Sequence, residues 1–142
     1  MEQPPFPDKL PDLTTIVHQA ILNPHIDLHI IESICDTSRI FGISGISTSL
    51  SHLTIARKRI GAPCKTKLIA LIGFPFGLIP QRMKLQEAQW AIEQGAEELE
   101  IVPNYIALSQ GKVSLFAEEL YEIIELGCTV RTILDTNNLS NL

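Results

Sequence analysis

The chain is short of charge. Asp, Glu, Lys and Arg make up 19% of its 142 residues, against about 25% in ordinary soluble domains. So little charge excludes a disordered acidic or basic tail, and it implies that more than the usual share of the surface is covered. No apolar run suits a bilayer either. The longest uncharged stretch, Leu68 to Pro80, is broken by Gly73, Pro75, Gly77 and Pro80, whereas a spanning helix needs ~20 apolar residues. A basic face is missing and the net charge is −5, so nucleic acid is not an expected partner. The amino end, Met-Glu-Gln-Pro-Pro-Phe-Pro, lacks the basic and apolar leader of a secretory signal. A cytoplasmic location is expected.

Cysteine and histidine are equally sparse. Cys35, Cys64 and Cys128 stand far apart, and His18, His25, His29 and His52 keep no metal-ligand spacing. No metal and no cofactor are expected. An odd cysteine count outside a secreted frame reads as reduced thiols. Cys35 and Cys128 lie in apolar runs and read as core filler, because free Cys packs as a small hydrophobe.

What is present is a chain with 45% hydrophobic residues, in a length suited to one domain. Residues 1–12 are proline-rich and read as an arm on a domain spanning 13–142. Within it one rhythm repeats. A β-branched run from Thr14 to Ile21 meets Asn23-Pro24, a turn signal. Asp27 can cap the next helix, whose Ile30, Ile31, Ile34 and Cys35 keep the helical period; Gly42 ends it. Ile43 to Thr48 is the second strand. Ser49 or Ser51 caps a helix carrying Leu53, Ile55, Ala56 and Ile60, with Arg57, Lys58 and Arg59 in its last turn, where cations suit the helix dipole; a basic ligand patch is the rival reading there.

Lys67 to Ile72 is an almost unbroken apolar strand, as expected of a parallel strand buried on both faces. Gly73-Phe-Pro-Phe-Gly77 breaks it. A helix over 81–94 follows, stopped by Gly95. Glu98 to Val102 is the fourth strand, Ser114 to Leu126 the fourth helix, and Val130 to Leu134 the fifth strand. Strands separated by helices mean a parallel sheet. Two architectures accept this string: a doubly wound sheet with helices on both faces, or the first five strands of a (β/α)8 barrel, which needs about 250 residues in all. The pattern alone leaves both open.

Particular residues favour the barrel. Ile-Gly-Phe-Pro-Phe-Gly (72–77), Lys84, Glu87-Ala88 and the run from Ala91 to Val102 resemble the deoxyribose-phosphate aldolase family. That family has a Gly-Phe-Pro-x-Gly turn after its third strand and a Gly-Ala-Asp-Glu-hydrophobic-Asp-hydrophobic-Val fourth strand. The similarity continues through Asn104, Ala107-Leu108 and Gly111 to Ile133-Leu134-Asp135-Thr136. Upstream it takes in Ile21-Leu-Asn-Pro24, Cys35 and Phe41-Gly42. It implies a partial TIM barrel of about five parallel strands and four helices. It also implies a lyase that reversibly cleaves 2-deoxy-D-ribose 5-phosphate to glyceraldehyde 3-phosphate and acetaldehyde, without metal, through a lysine Schiff base.

The resemblance places the family's strand-four aspartate on Glu100, the catalytic candidate here. Strand alternation puts Glu98, Glu100 and Val102 on one face and Leu99 and Ile101 on the other. With the apolar pair meeting the helices, Glu100 points into the barrel, where a carboxylate can relay protons. Arg131 and Asp135 share a strand face, and an Arg beside Glu100 would hold it ionised; the competing reading is an exposed edge whose charges discourage edge pairing. Ser47 stands at the family's small thiol position on strand two and is a substrate-lining candidate. Lys84 is another, since it opens a helix near the carboxyl ends of the strands, where TIM-barrel chemistry happens; a solvated helix lysine is the competing expectation.

The family's reactive lysine, helper lysine and phosphate-binding loops belong to strands six to eight and have no counterpart in these 142 residues. Its strand-one Asp-His-Thr reads His18-Gln19-Ala20. The expectation is therefore a truncated or inactive homologue whose open barrel self-associates or is covered by a second polypeptide. A phosphosugar is the expected small-molecule partner once the barrel is completed. The alternative is a non-catalytic half-barrel that works as a binding or interaction module.

Overall fold

The computed structural model describes residues 12–134. A 3-10 turn (Leu13–Thr15) leads into β1 (His18–Ile21), α1 (Leu28–Phe41), β2 (Gly45–Thr48), α2 (Leu50–Ile60), β3 (Lys67–Ile72), α3 (Gln81–Glu93), β4 (Glu98–Ile101), α4 (Tyr105–Ser109), α5 (Val113–Ile124) and β5 (Thr129–Thr132). The proline-rich arm expected over 1–12 lies, apart from Asp12, outside the described residues, as do Asp135 and Thr136.

The five strands form one parallel sheet in the order β1-β2-β3-β4-β5. A doubly wound sheet requires that order to reverse at a switch point, and here it never does. The side chains agree. Ile46, Leu68, Ala70, Ile72, Leu99 and Ile101 alternate onto one face and join a single core with Ile31, Cys35, Leu53, Ala56, Ala88 and Ile123 from the helices. Successive helices touch one another, α1 on α2, α2 on α3 and α3 on α5, so the long helices share one side. Ser47, Ile69, Leu71, Glu98 and Glu100 take the opposite, concave face. This is a partial TIM barrel, and among the described residues its sheet stays open, with β1 and β5 as edges.

Local chemistry moves several boundaries. The β-branched Thr14 and Thr15 suggest strand, but Asp12 accepts the Thr14 backbone N–H at 3.0 Å and its hydroxyl at 2.6 Å, and this cap closes a turn instead. β2 begins at Gly45 rather than Ile43 because the Ile43 N–H goes back to the Ser38 carbonyl at 2.9 Å. That bond completes the left-handed cap of α1 at Gly42 (φ +68°). A fifth helix, α4, stands where four were expected in all: the Asn104 side chain accepts the Ala107 N–H at 3.1 Å and starts it.

The Gly73 to Gly77 segment is a tight strand exit, closed by the Gly77 N–H on the Gly73 carbonyl at 2.7 Å. Both glycines have left-handed φ, and a Cβ on Gly77 would run into the Pro103 and Val102 carbonyl oxygens. The turn is thereby pressed onto the exit of β4. At the amino ends of the strands, Glu97 ties three elements together. It pairs with Arg57 of α2 at 3.1 Å and Lys67 of β3 at 2.7 Å, and accepts the Leu68 N–H at 3.3 Å. Burial alone would raise the Glu97 carboxyl, but these donors outweigh it and hold it below the usual carboxylate value.

Candidate functional site

The concave face is apolar at β3 and polar on either side of it. Register aligns Leu71, Glu100 and Arg131 in one row, and Ala20, Ser47, Ile69 and Glu98 in the row below. Across β3, the Ser47 hydroxyl donates to Glu100 Oε2 at 2.6 Å, a short bond of the kind charged acceptors make. The other carboxylate oxygen, Oε1, lies 3.5 Å from His18 Nδ1. Ser47 is buried, whereas the Glu100 and His18 side chains keep 17% and 24% of their surface. The three side chains form a chain with the acid in the middle. A nucleophilic serine needs the imidazole as its immediate neighbour, so this order suits proton handling and not attack by Ser47.

Gly45 makes room for the arrangement. A Cβ there would stand 2.6 Å from Ile69 Cδ1 and 3.1 Å from His18 Cδ2, closer than real contacts allow. The missing side chain lets Ile69 fill the inner face and seats the His18 ring. Ile69 is fully buried although it belongs to the face away from the helices.

Two of the expected site residues, Ser47 and Glu100, are brought together; two are not. Arg131 is the register partner of Glu100, yet its guanidinium pairs with Glu98. The expectation of an Arg holding Glu100 ionised is corrected. Both Glu100 oxygens already face Ser47 and His18, and Glu98, one row down on the same face, offers the unclaimed carboxylate. The Arg131 side chain is 42% exposed, and a pair so wet adds little to stability.

Lys84 is the second correction. It is neither solvated nor substrate-lining: it is fully buried, with Nζ 2.8 Å from Glu119 Oε1 of α5. The cause is helical spacing, because Lys84, Ala88 and Ala91 form the buried stripe of α3, and an ammonium there requires a counter-ion. Glu119 supplies it and uses Oε2 to accept the Asn104 N–H at 2.8 Å. Glu87, one turn along α3, accepts the Gly73 N–H at 2.8 Å. The helix thus grips the exits of both β3 and β4.

Among the described residues, no group of three or more His, Cys, Asp and Glu side chains could hold a metal ion, and no helix is long and apolar enough to cross a membrane. Cys35 is buried in the core, where burial first and neighbouring Asp36 second push its thiol up to about 11. Cys128 packs on the core and donates to the Glu97 carbonyl at 3.2 Å. His18 is the site residue that sequence reasoning missed. The available signal was its place at the first position of the family's strand-one Asp-His-Thr, which was read only as a departure from the family.

No family model matches the chain. Curated proteins do. The deoxyribose-phosphate aldolase of Aquifex aeolicus is 34% identical over 112 residues, taking in 79% of this chain and 50% of that protein. The deoxyribose-phosphate aldolase of Crocosphaera subtropica is 32% identical over 131 residues, 92% of this chain and 59% of that protein. Among solved structures, QR15, an aldolase, superposes with a TM-score of 0.85 at 31% identity, covering 92% of this chain and 59% of its own. A tetrameric deoxyribose phosphate aldolase from Aeropyrum pernix gives 0.74 at 26% identity, covering 88% and 53%. This chain spans only half to three-fifths of the length of these proteins. With a sequential, one-sided parallel sheet and a carboxylate on its concave face, it is similar to the deoxyribose-phosphate aldolases over part of their length.

Proposed function

We propose that the chain supplies the first five βα units of an aldolase-type barrel acting on 2-deoxy-D-ribose 5-phosphate, with Glu100 as its acid–base carboxylate. The observation that carries this reading is the placement of Glu100 on the concave face, bonded to Ser47. The reaction also needs an amine to form the Schiff base, in a setting that depresses its pKa. Among the described lysines none offers one beside Glu100. Lys84 is locked to Glu119 within the helical layer, and Lys67 is paired with Glu97 at the amino ends of the strands. The chain by itself is therefore an inactive lyase homologue.

The amine comes, on this reading, from a further segment that adds strands to the free edges of β1 and β5. The match to the Crocosphaera protein leaves 41% of that protein unaligned. Such a remainder, on the order of 90 residues, has room for three βα units of ~30 residues each, which would bring five strands to eight. Soluble, cytoplasmic deoxyribonucleotide catabolism is the setting that fits. A second reading, a non-catalytic half-barrel that docks a partner on its open edges, is favoured by the apolar groups exposed there, among them Val17, Leu22 and Leu134.

The test is acetaldehyde release from the phosphosugar with borohydride trapping of a lysine adduct. The chain alone is expected to give neither, and to associate when sized by light scattering. Appreciable turnover with a trapped lysine overturns the incomplete-barrel reading. If a supplied completing segment binds without restoring turnover, the interaction-module reading stands in its place.

A further inference from the structure

We infer that the mouth between the exits of β2 and β3 seats the neutral, hydroxyl-bearing carbon chain of the substrate, with Ser49, Ser51 and Glu87 selecting for its hydroxyls. The inference rests on reading the concave face, with Glu100 as its acid–base group, as a site of aldol chemistry. A cavity of about 230 Å³ opens at this mouth, lined by Ser49, Leu50, Ser51, Leu71, Phe74 and Glu87. Leu71 shares a row with Glu100. Ser49 comes two residues after Ser47 and keeps extended backbone (φ −66°, ψ 158°). The cavity therefore lies at the carboxyl ends of the strands, next to the row that holds Glu100, where barrel enzymes bind their substrates.

Its lining suits a small polyol. The volume falls below the ~300–1,000 Å³ of pockets for drug-sized ligands, and fits a chain of few carbons. Leu50, Leu71 and Phe74 provide an apolar side for C–H groups. The Ser49 hydroxyl makes no cap bond to α2; it meets Ser51 Oγ at 2.9 Å and His52 Nδ1 at 3.2 Å. A hydroxyl has one donor and two acceptor sites, so Ser51, with that one bond, keeps capacity for a ligand. Glu87 spends Oε2 on the Gly73 N–H at 2.8 Å, and its Oε1 takes no hydrogen bond among the described residues.

Charge decides which part of a phosphosugar fits here. Among the described lining residues the charged group is Glu87, and a carboxylate repels a phosphate while it accepts from a ligand O–H. The carbon chain with its hydroxyls is the part that matches, and the phosphate is left to other parts of a completed barrel. A ligand without those hydroxyls would leave the polar groups of the mouth unpaired, which is how such a site rejects it.

The measurement is an amide NMR titration of the full 142-residue chain with 2-deoxyribitol 5-phosphate, the phosphosugar reduced at its carbonyl and so unable to form a Schiff base. The signals of Ser49, Ser51 and Phe74 are expected to move with this polyol and to stay in place with inorganic phosphate. Ser49→Ala and Ser51→Ala are each expected to weaken binding about three- to tenfold, the worth of one hydrogen bond. Signals unmoved by the polyol, the same signals moved by inorganic phosphate, or unchanged affinity in either variant overturns the inference. Ser51 is exposed, so its variant and the wild-type shifts carry the test should Ser49→Ala not fold. The probe needs neither a reactive lysine nor turnover, so failure of the barrel-completion experiment and failure of this one are separate results.

Discussion

Ser47 and Glu100 stand on strands separated by β3, yet the Ser47 hydroxyl reaches across to Glu100 Oε2 at 2.6 Å. The bond crosses the concave face and ties β2 to β4 independently of the backbone ladder. Ser47 is buried, so the hydroxyl has no water to fall back on. Ser47→Ala should lose about 1–2 kcal/mol, in the range for a hydrogen bond to a charged group that keeps some solvent. Urea unfolding measures it, and a variant as stable as wild type would mean that the bond contributes nothing net.

The Lys84–Glu119 pair should behave as buried pairs do. Removing one partner leaves an uncompensated charge, so Lys84→Met and Glu119→Leu singly should each cost about 3–5 kcal/mol. The double variant should recover much of that loss, because both charges leave the helical layer together. A double-mutant cycle from chemical denaturation tests this. Additive losses would show that the two side chains act independently.

Glu97 sets an acid limit on stability. Its folded carboxyl lies below the usual value of 4.5, so its contribution is fully present above that value and is lost as pH falls through the lower, folded one. Thermal melts of wild type and Glu97→Gln from about pH 7 to about pH 3 should differ most at neutral pH and converge on acidification. A gap that widens in acid would reverse the sign of this argument.

Gly77 is expected to resist substitution. Its φ of +67° disfavours any other L-residue, and a Cβ would strike the Pro103 carbonyl oxygen. Gly77→Ala should cost at least the ~1–3 kcal/mol of a strained backbone position. Since Gly77 presses on the exit of β4, the amide signals of Val102 and Asn104 should shift in the same variant. A neutral Tm with unmoved amides would place the turn clear of β4.

Much of the fold was legible because the period of apolar residues changes cleanly along the chain. Lys67–Ile72 reads as a two-sided buried strand because both its faces are covered, Leu68, Ala70 and Ile72 on the helical side and the buried Ile69 and Leu71 on the other. The parity of Glu98 and Glu100 against Leu99 and Ile101 also carried through, since alternation on a strand is fixed by geometry. Capping was harder. Asp12 turned a β-branched run into a 3-10 turn, and Asn104 raised a helix from five residues too few to show a period.

The site was legible in part. Glu100 and Ser47 could be placed on one face by counting along their strands, although nothing in the chain's spacing reports that they bond. Arg131 went to Glu98 because three-dimensional competition for carboxylates is invisible in a one-dimensional string. Lys84 was misread because a charged residue on a buried stripe looks solvated until its counter-ion, thirty-five residues away in Glu119, is seen beside it.

The uninterrupted strand order has one more consequence. Each βα unit leans chiefly on the unit before and the unit after, so cohesion is passed along the chain link by link, as in repeat proteins. Cutting such a chain at a seam between units removes one set of neighbours and leaves the others undisturbed. Division, duplication and exchange of units are therefore mild rearrangements for this molecule, whereas a break inside Lys67–Ile72 would sever the seams on both sides at once.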